Sequence, residues 1–258
     1  MTVTVLVPDH HGVAALAGLD DLHAVPYVSY DDLPPEAARA RVLVPDFMSR
    51  PIPANLTERL PELRLVQTLT AGADGWIGML PDTIAVSTAR GAHGGSTAEW
   101  AVAALLAIYR DLLAYEDDRR AGRWARRTTD TLQDKRILVV GAGDLGANLR
   151  RRFDAFDAHT TLVATKARDG VRGVDELATL LPRHDAVIMV VPLTAATERM
   201  VDADFLARMR DGAVLVNAAR GPVVDSDALL AELTSGRLRA ALDVTDPEPL
   251  PEGHPLWT

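Results

Sequence analysis

The chain has no cysteine. That excludes disulfides, thiolate nucleophiles and cysteine-based metal sites, and it fits a cytoplasmic setting. It also lacks any apolar run long enough to cross a bilayer, so no membrane role is expected. The opening MTVTVLVPDHHG carries no basic leader and reads as a first strand rather than a signal peptide. Positive charge is in deficit. Lys and Arg number 27 against 36 Asp and Glu, a formal charge of −9, which argues against nucleic acid as a partner. The one basic concentration, Arg119, Arg120, Arg123, Arg126 and Arg127, reads as a solvated helix end and loop. No repeat at solenoid period and no low-complexity tract occurs. The tandem His10-His11 lacks an assigned third ligand, so no metal is expected, and His23, His159 and His184 read as turn or surface residues.

What is present is alternation. Over 258 residues that are 48% hydrophobic, short apolar runs alternate with helical patterns. Val3–Val7, Pro26–Tyr30, Val42–Pro45, Leu63–Thr70 and Ile84–Ser87 read as strands. A second set follows at Ile137–Val140, Thr161–Thr165, Ala186–Val191, Ala213–Asn217 and Ala240–Val244. Helices fit Leu145–Ala155, Val174–Leu181, Ala203–Met209 and Asp225–Thr234, the last with Asp225 as N-cap and Gly236 at its end. Between the two sets a long Ala-rich helix is expected from about Thr97 to Arg120, capped by Ser96 or Thr97, with Glu99 in its first turn. Alternating strands and helices imply parallel sheets. The reading is α/β, with an N-terminal unit over 1–97 and a nucleotide-binding unit over 98–258, the ligand expected in the cleft between them.

The most informative stretch is RILVVGAGDLG, residues 136–146. An apolar strand runs into Gly141, Gly143 and Gly146, and a helix pattern follows with Leu149, Phe153 and Phe156 on one side. The first glycine permits the tight turn, the second lets a pyrophosphate approach the backbone, and the third allows close helix–strand packing. The helix N-terminus then offers free N–H groups and the positive end of its dipole, so Gly141, Gly143, Asp144, Leu145 and Gly146 are cofactor-binding candidates. NAD-type sites carry an acidic residue roughly 20 residues beyond this turn, where it bonds the ribose 2′-hydroxyl. Here the strand ends in VATKAR, without a carboxylate; Asp169 lies further into the loop. Thr165, Lys166 and Arg168 suit a 2′-phosphate instead, which predicts NADP(H) over NAD(H).

Further along stand VPLT (Val191–Thr194), VNAARG (Val216–Gly221) and LDVTDPEP (Leu242–Pro249), in that order after the glycine turn. Together with the looser TAGAD (Thr70–Asp74) and TAEW (Thr97–Trp100), they resemble the D-isomer-specific 2-hydroxyacid dehydrogenases over most of the chain. The resemblance implies a Rossmann-type nucleotide unit and a smaller flavodoxin-like α/β substrate unit. It also implies hydride transfer between a nicotinamide and a small 2-oxo or 2-hydroxy acid, by a homodimer. Arg220 would grip the substrate carboxylate and polarise the keto oxygen. Asp243 would orient the nicotinamide carboxamide, and Glu248 would pair with the family's catalytic histidine. Val191, Pro192, Leu193, Thr194 and Ala218 would line the cofactor, while Ala71, Gly72 and Ala73 would hold the substrate carboxylate through backbone N–H groups. Asn217 would orient its loop or meet the cofactor.

One departure stands out. The family's general-acid histidine sits in a Pro-His segment beyond the next strand, and this chain ends at Trp257-Thr258. His254, in EGHPLW, does not match it. The sequence therefore reads either as a piece of a longer enzyme, the favoured alternative, or as a shortened relative that binds or senses NADP(H) without catalysis. The chain alone is expected to turn over poorly, since a general acid contributes about 10²–10⁴-fold. His93, in RGAHGG, is the best substitute acid, or else it shapes the loop.

Overall fold

Valine- and leucine-rich runs form the sheets of both units; in the later one Ile137–Val140, Ala186–Met189 and Val214–Asn217 are buried on both faces, as a parallel sheet covered by helices requires. The computed structural model describes residues 2–47 and 52–257. The chain divides between His93 and Gly94 into two compact units.

In the first unit, β1 (Val3–Val7) leads into α1 (His10–Leu16), where the Asp9 carboxylate accepts the Gly12 N–H at 2.9 Å and caps the helix. Then come β2 (Leu22–Pro26), β3 (Ala40–Leu43), α2 (Leu56–Arg59), β4 (Leu65–Gln67) and β5 (Ala85–Ser87). All pairings are parallel, in the order β2-β1-β3-β4-β5, the flavodoxin-like arrangement. The strand expected at Pro26–Tyr30 lies earlier. Tyr27 and Tyr30 stack at 5.6 Å, and the Tyr27 hydroxyl donates to the Val44 carbonyl. These aromatics plug the core beyond the strand, while Val28 between them is 80% exposed.

The second unit opens with α3 (Gly94–Tyr109) and α4 (Leu112–Arg120). Six strands follow: β6 (Arg136–Val140), β7 (His159–Ala164), β8 (Arg172–Gly173), β9 (Ala186–Met189), β10 (Val214–Asn217) and β11 (Arg239–Leu242). Between them lie α5 (Asp144–Asp154), α6 (Leu177–Leu180), α7 (Ala203–Arg208) and α8 (Ser226–Thr234). The Asp225 carboxylate accepts the Asp227 and Ala228 N–H groups at the start of α8, as expected. The sheet is parallel, ordered β11-β10-β9-β6-β7-β8. The chain thus leaves central β6 on one side and returns on the other, which creates a switch point between β6 and β9. Alternate residues of the strands serve two cores. Leu138, Val140, Val187, Met189 and Leu215 face one; Ile137, Val139, Ile188, Val214 and Val216 face the other, against α3 and α5.

The single helix expected from Thr97 to Arg120 is two. α3 begins at Gly94, so Ser96 and Thr97 lie inside it and do not cap it, and Glu99 falls beyond its first turn. The break is at Asp111, whose φ of 51° and ψ of 36° are left-handed, a conformation Asp tolerates better than most residues. The basic cluster downstream is largely paired. Arg119 and Arg120 hold Glu116, while Arg123 and Arg127 converge on Asp118, which is only 4% exposed.

His184 is buried rather than at the surface, at 5% exposure. Its Nδ1 meets the Leu180 carbonyl at 2.7 Å and its Nε2 meets the Thr161 hydroxyl at 3.0 Å. A carbonyl only accepts, so in the neutral ring Nδ1 donates and Nε2 accepts a hydrogen bond from the hydroxyl. Burial, the largest cause, holds this imidazole below its ordinary pKa. As pH falls through about 6.5 the unfolded chain therefore takes up the proton first, and stability drops. Thermal melts between about pH 7.5 and pH 5 should show wild type losing stability that His184→Gln retains. Parallel curves would contradict this.

Candidate functional site

The carboxyl ends of the second sheet carry the residues singled out in the sequence. β6 ends at Val140, and Gly141 follows with φ of 126°. A Cβ there would lie 2.5 Å from the Val190 carbonyl oxygen, so the position requires glycine on both conformational and steric grounds. A Cβ on Gly146 would lie 2.1 Å from the Gly141 oxygen. Strand and helix can approach only because neither residue has a side chain. Gly143 precedes α5, and no side chain caps that helix start. Its first-turn N–H groups are therefore available to an anion, and the turn fits a pyrophosphate. Leu149 and Phe153 bury the inner face of α5, while Phe156 lies past its end and is 40% exposed. Asp144 is turned toward α3: a Cβ on Gly94 would lie 1.8 Å from its Oδ2, and Asn148 Nδ2 bonds its backbone oxygen at 3.0 Å.

Beyond β7, Thr165 and Lys166 are exposed. The chain then doubles back in a tight hairpin. Arg168 and Val171 exchange both backbone hydrogen bonds at 2.9 Å, with Asp169-Gly170 at the tip. The Arg168 guanidinium reaches the glycine turn and donates to the Ala142 carbonyl at 3.0 Å. Arg150, not anticipated from the sequence, donates from α5 to the Gly170 carbonyl at 3.0 Å and so braces the same hairpin. A cavity of about 470 Å³ beneath the hairpin is lined by Arg150, Thr161, Arg168, Asp169, Arg172 and Glu176.

After β9, Val191 and Pro192 begin a loop organised by Thr197, whose importance the sequence did not signal. Its hydroxyl donates to the Pro192 carbonyl at 2.6 Å and accepts the Thr194 N–H at 2.8 Å. After β10, Asn217 is buried at 1% exposure. Its amide donates to the Arg220 carbonyl at 3.0 Å and accepts from the Ala219 N–H at 3.1 Å. The amide therefore orients the loop; Ala218 within that loop is buried. Arg220 is partly buried, with Nη1 donating to the Ala219 carbonyl at 2.7 Å.

The loop after β11 is pressed onto this one. A Cβ on Gly221 would lie 1.9 Å from the Thr245 oxygen, and Ser226 Oγ donates to the Asp246 carbonyl at 2.8 Å. Asp243 stands at the head of this second loop. Desolvation, then the neighbouring negative charge of Glu248, pushes its carboxyl above the usual range although part of it meets solvent. Glu248 is exposed. His254 accepts the Leu256 N–H at its Nδ1 and serves a local turn.

In the first unit, the turn after β4 is held by hydroxyls. Thr68 Oγ1 donates to the Thr70 carbonyl at 2.9 Å and Thr70 Oγ1 to the Gly72 carbonyl at 2.8 Å. The N–H groups of Ala71, Gly72 and Ala73 find no protein acceptor among the described residues. Also among those residues, no three His, Cys, Asp or Glu side chains gather as a metal site, and no helix is long and apolar enough to cross a membrane.

Comparison with known proteins follows the same lines. A glyoxylate reductase from Thermofilum pendens is 34% identical over 80% of this chain and 65% of its own length. A glyoxylate/hydroxypyruvate reductase B from Cronobacter sakazakii is 31% identical over 81% of this chain and 69% of its own length. The chain thus spans about two thirds of the curated relatives it matches. Among solved structures, a D-isomer specific 2-hydroxyacid dehydrogenase from Xanthobacter autotrophicus Py2, in complex with NADPH and MES, is 29% identical. It covers 100% of this chain and 85% of its own, with a TM-score of 0.83. Residues 102–258, the stretch that builds the glycine turn and the loops after β9, β10 and β11, match the model of the NAD binding domain of the D-isomer specific 2-hydroxyacid dehydrogenases. By fold, site and descent, the chain belongs to the D-isomer specific 2-hydroxyacid dehydrogenase family.

Proposed function

We propose that the protein is an oxidoreductase that interconverts small 2-oxo and 2-hydroxy acids and prefers NADP(H) to NAD(H). The observation that carries this reading is the row of groups at the carboxyl ends of adjoining parallel strands. The row comprises the glycine turn after β6, Arg168 after β7, Arg220 after β10 and Asp243 after β11. Ligands of open α/β sheets lie along that edge.

The bound nicotinamide supplies the hydride chemistry. Gly141, Gly143, Leu145 and Gly146 give the pyrophosphate a backbone to rest on, with the start of α5 providing the positive dipole end. Thr165, Lys166 and Arg168 hold the 2′-phosphate. Val191, Pro192 and Ala218 line the nucleotide, and Asp243 accepts from the carboxamide. Arg220 binds the substrate carboxylate and polarises its keto oxygen, with Asn217 fixing the loop that carries it. In the first unit, Ala71, Gly72 and Ala73 present their uncommitted N–H groups as a carboxylate-binding turn. Glu248 tunes the acid–base partner of the reaction. Residues 98–258 bind the nucleotide and supply Arg220, and residues 1–97 supply the carboxylate turn. The reductase names of the relatives and the NADPH bound by the Xanthobacter protein support this reading.

The test is NADPH oxidation by the purified chain with glyoxylate, hydroxypyruvate and phenylpyruvate, alongside its mass by light scattering, for which a homodimer is expected. Oxidation with at least one acid, faster with NADPH than with NADH, is the expected result. Because the chain alone is expected to turn over slowly, calorimetric titration with NADPH and NADH accompanies the assay. The reading is overturned if no acid is reduced and NADPH binds no more tightly than NADH.

A further inference from the structure

His93 ends the first unit, and its ring reaches back to the residue before the proposed carboxylate turn. Its Nε2 lies 2.7 Å from the Leu69 carbonyl oxygen. That oxygen only accepts, so Nε2 carries the proton and donates, in the neutral and the cationic ring alike. Phe47 packs on the imidazole with ring centroids 5.5 Å apart and planes inclined at 58°. His93 thus joins three segments that leave the carboxyl ends of adjacent strands: Phe47 after β3, Leu69 after β4 and itself after β5. Other ties on the turn are local, and one comes from Ala89, whose N–H donates to the Thr70 carbonyl at 2.9 Å. These engage carbonyl groups, and the Ala71–Ala73 amides are uncommitted among the described residues.

We infer that His93 is a positioning residue: its Nε2–H pins the Leu69 carbonyl and so aims the Ala71–Ala73 amides at the substrate carboxylate. In this role the Nε2 proton stays on the ring, committed to the backbone. This inference rests on the carboxylate-turn reading above.

Oxamate, a carboxylate probe that needs no turnover, would be titrated calorimetrically into the NADPH-loaded protein. Loss of one hydrogen bond in His93→Ala should weaken oxamate about three- to tenfold, with NADPH affinity unchanged. His93→Gln keeps an N–H donor at similar reach but cannot titrate, and should bind oxamate within about twofold of wild type. In turnover, His93→Ala should raise KM and spare kcat, and the Gln variant should keep the wild-type pH profile of kcat.

The inference is overturned if His93→Ala binds oxamate like wild type, if Gln is no better than Ala, or if the Gln variant loses a limb of the pH profile. Gly72→Val tests the underlying turn. If it weakens oxamate while His93→Ala does not, the turn stands and only the brace falls. If wild type takes up no oxamate, or Gly72→Val binds as well as wild type, the turn reading fails and takes this inference with it.

Discussion

Replacing Thr165 with Asp and Arg168 with Ala is expected to turn a preference for NADPH into one for NADH, shifting the ratio of catalytic efficiencies by about 100-fold. Both residues follow the end of β7, the strand next to the glycine turn, where no carboxylate awaits a ribose hydroxyl. A hydrogen bond from a guanidinium to a phosphate contributes about 1.5–3 kcal/mol, so losing Arg168 alone costs NADPH about tenfold or more. The new aspartate adds repulsion toward the 2′-phosphate and a hydrogen bond to the 2′-hydroxyl of NADH. Arg168 also ties its hairpin to the Ala142 carbonyl, so retained NADH binding serves as the internal check on folding. Measuring kcat/KM with both cofactors decides the matter, and an unchanged ratio would remove the 2′-phosphate assignment.

Gly221→Ala is expected to cost about 2–4 kcal/mol of stability and to abolish binding of the oxo acid. Its φ is not in the left-handed region; the requirement is close approach alone. The added methyl would stand 1.9 Å from the Thr245 oxygen, 2.3 Å from its carbon and 2.9 Å from the Asp246 nitrogen. Those are backbone atoms, so no side chain can swing aside. The loops bearing Arg220 and Asp243 must separate, and the two side chains lose their mutual placement. Gly95→Ala is the control: its Cβ would meet only Arg152 Nη2, at 3.6 Å. A lower melting temperature and no oxamate binding in Gly221→Ala, with Gly95→Ala near wild type, is the expected pattern. Similar melting of the two variants would show that the loops yield freely.

Much of the second unit is legible in the sequence because its strands are buried on both faces. Ile137–Val140 reads as a continuous apolar run, and the glycines that follow have no alternative use. Residues set by contacts distant in sequence are not legible. His184 resembles any turn histidine until Thr161 and the Leu180 carbonyl close over it. Gly221 looks like a helix-start glycine, and only the Thr245 backbone reveals its purpose. The break at Asp111 sits inside an unbroken helical pattern, where one left-handed residue leaves no compositional mark. β2 was displaced because Tyr27 and Tyr30 have strand-like propensity yet are spent as core plugs, whereas the true strand includes the polar, exposed His23. Arg150 and Thr197 act on main-chain carbonyls across loops, which no motif records.

The two sheets are built from separate stretches of the chain, which has a consequence for biosynthesis. Every ladder of the first sheet joins residues between Val3 and Ser87. A ribosome still polymerising the glycine turn has therefore already released all the strand partners that sheet needs. The amino-terminal half can settle while the nucleotide-binding half is unmade, so nascent chains stalled in that interval should already resist protease over the first sheet.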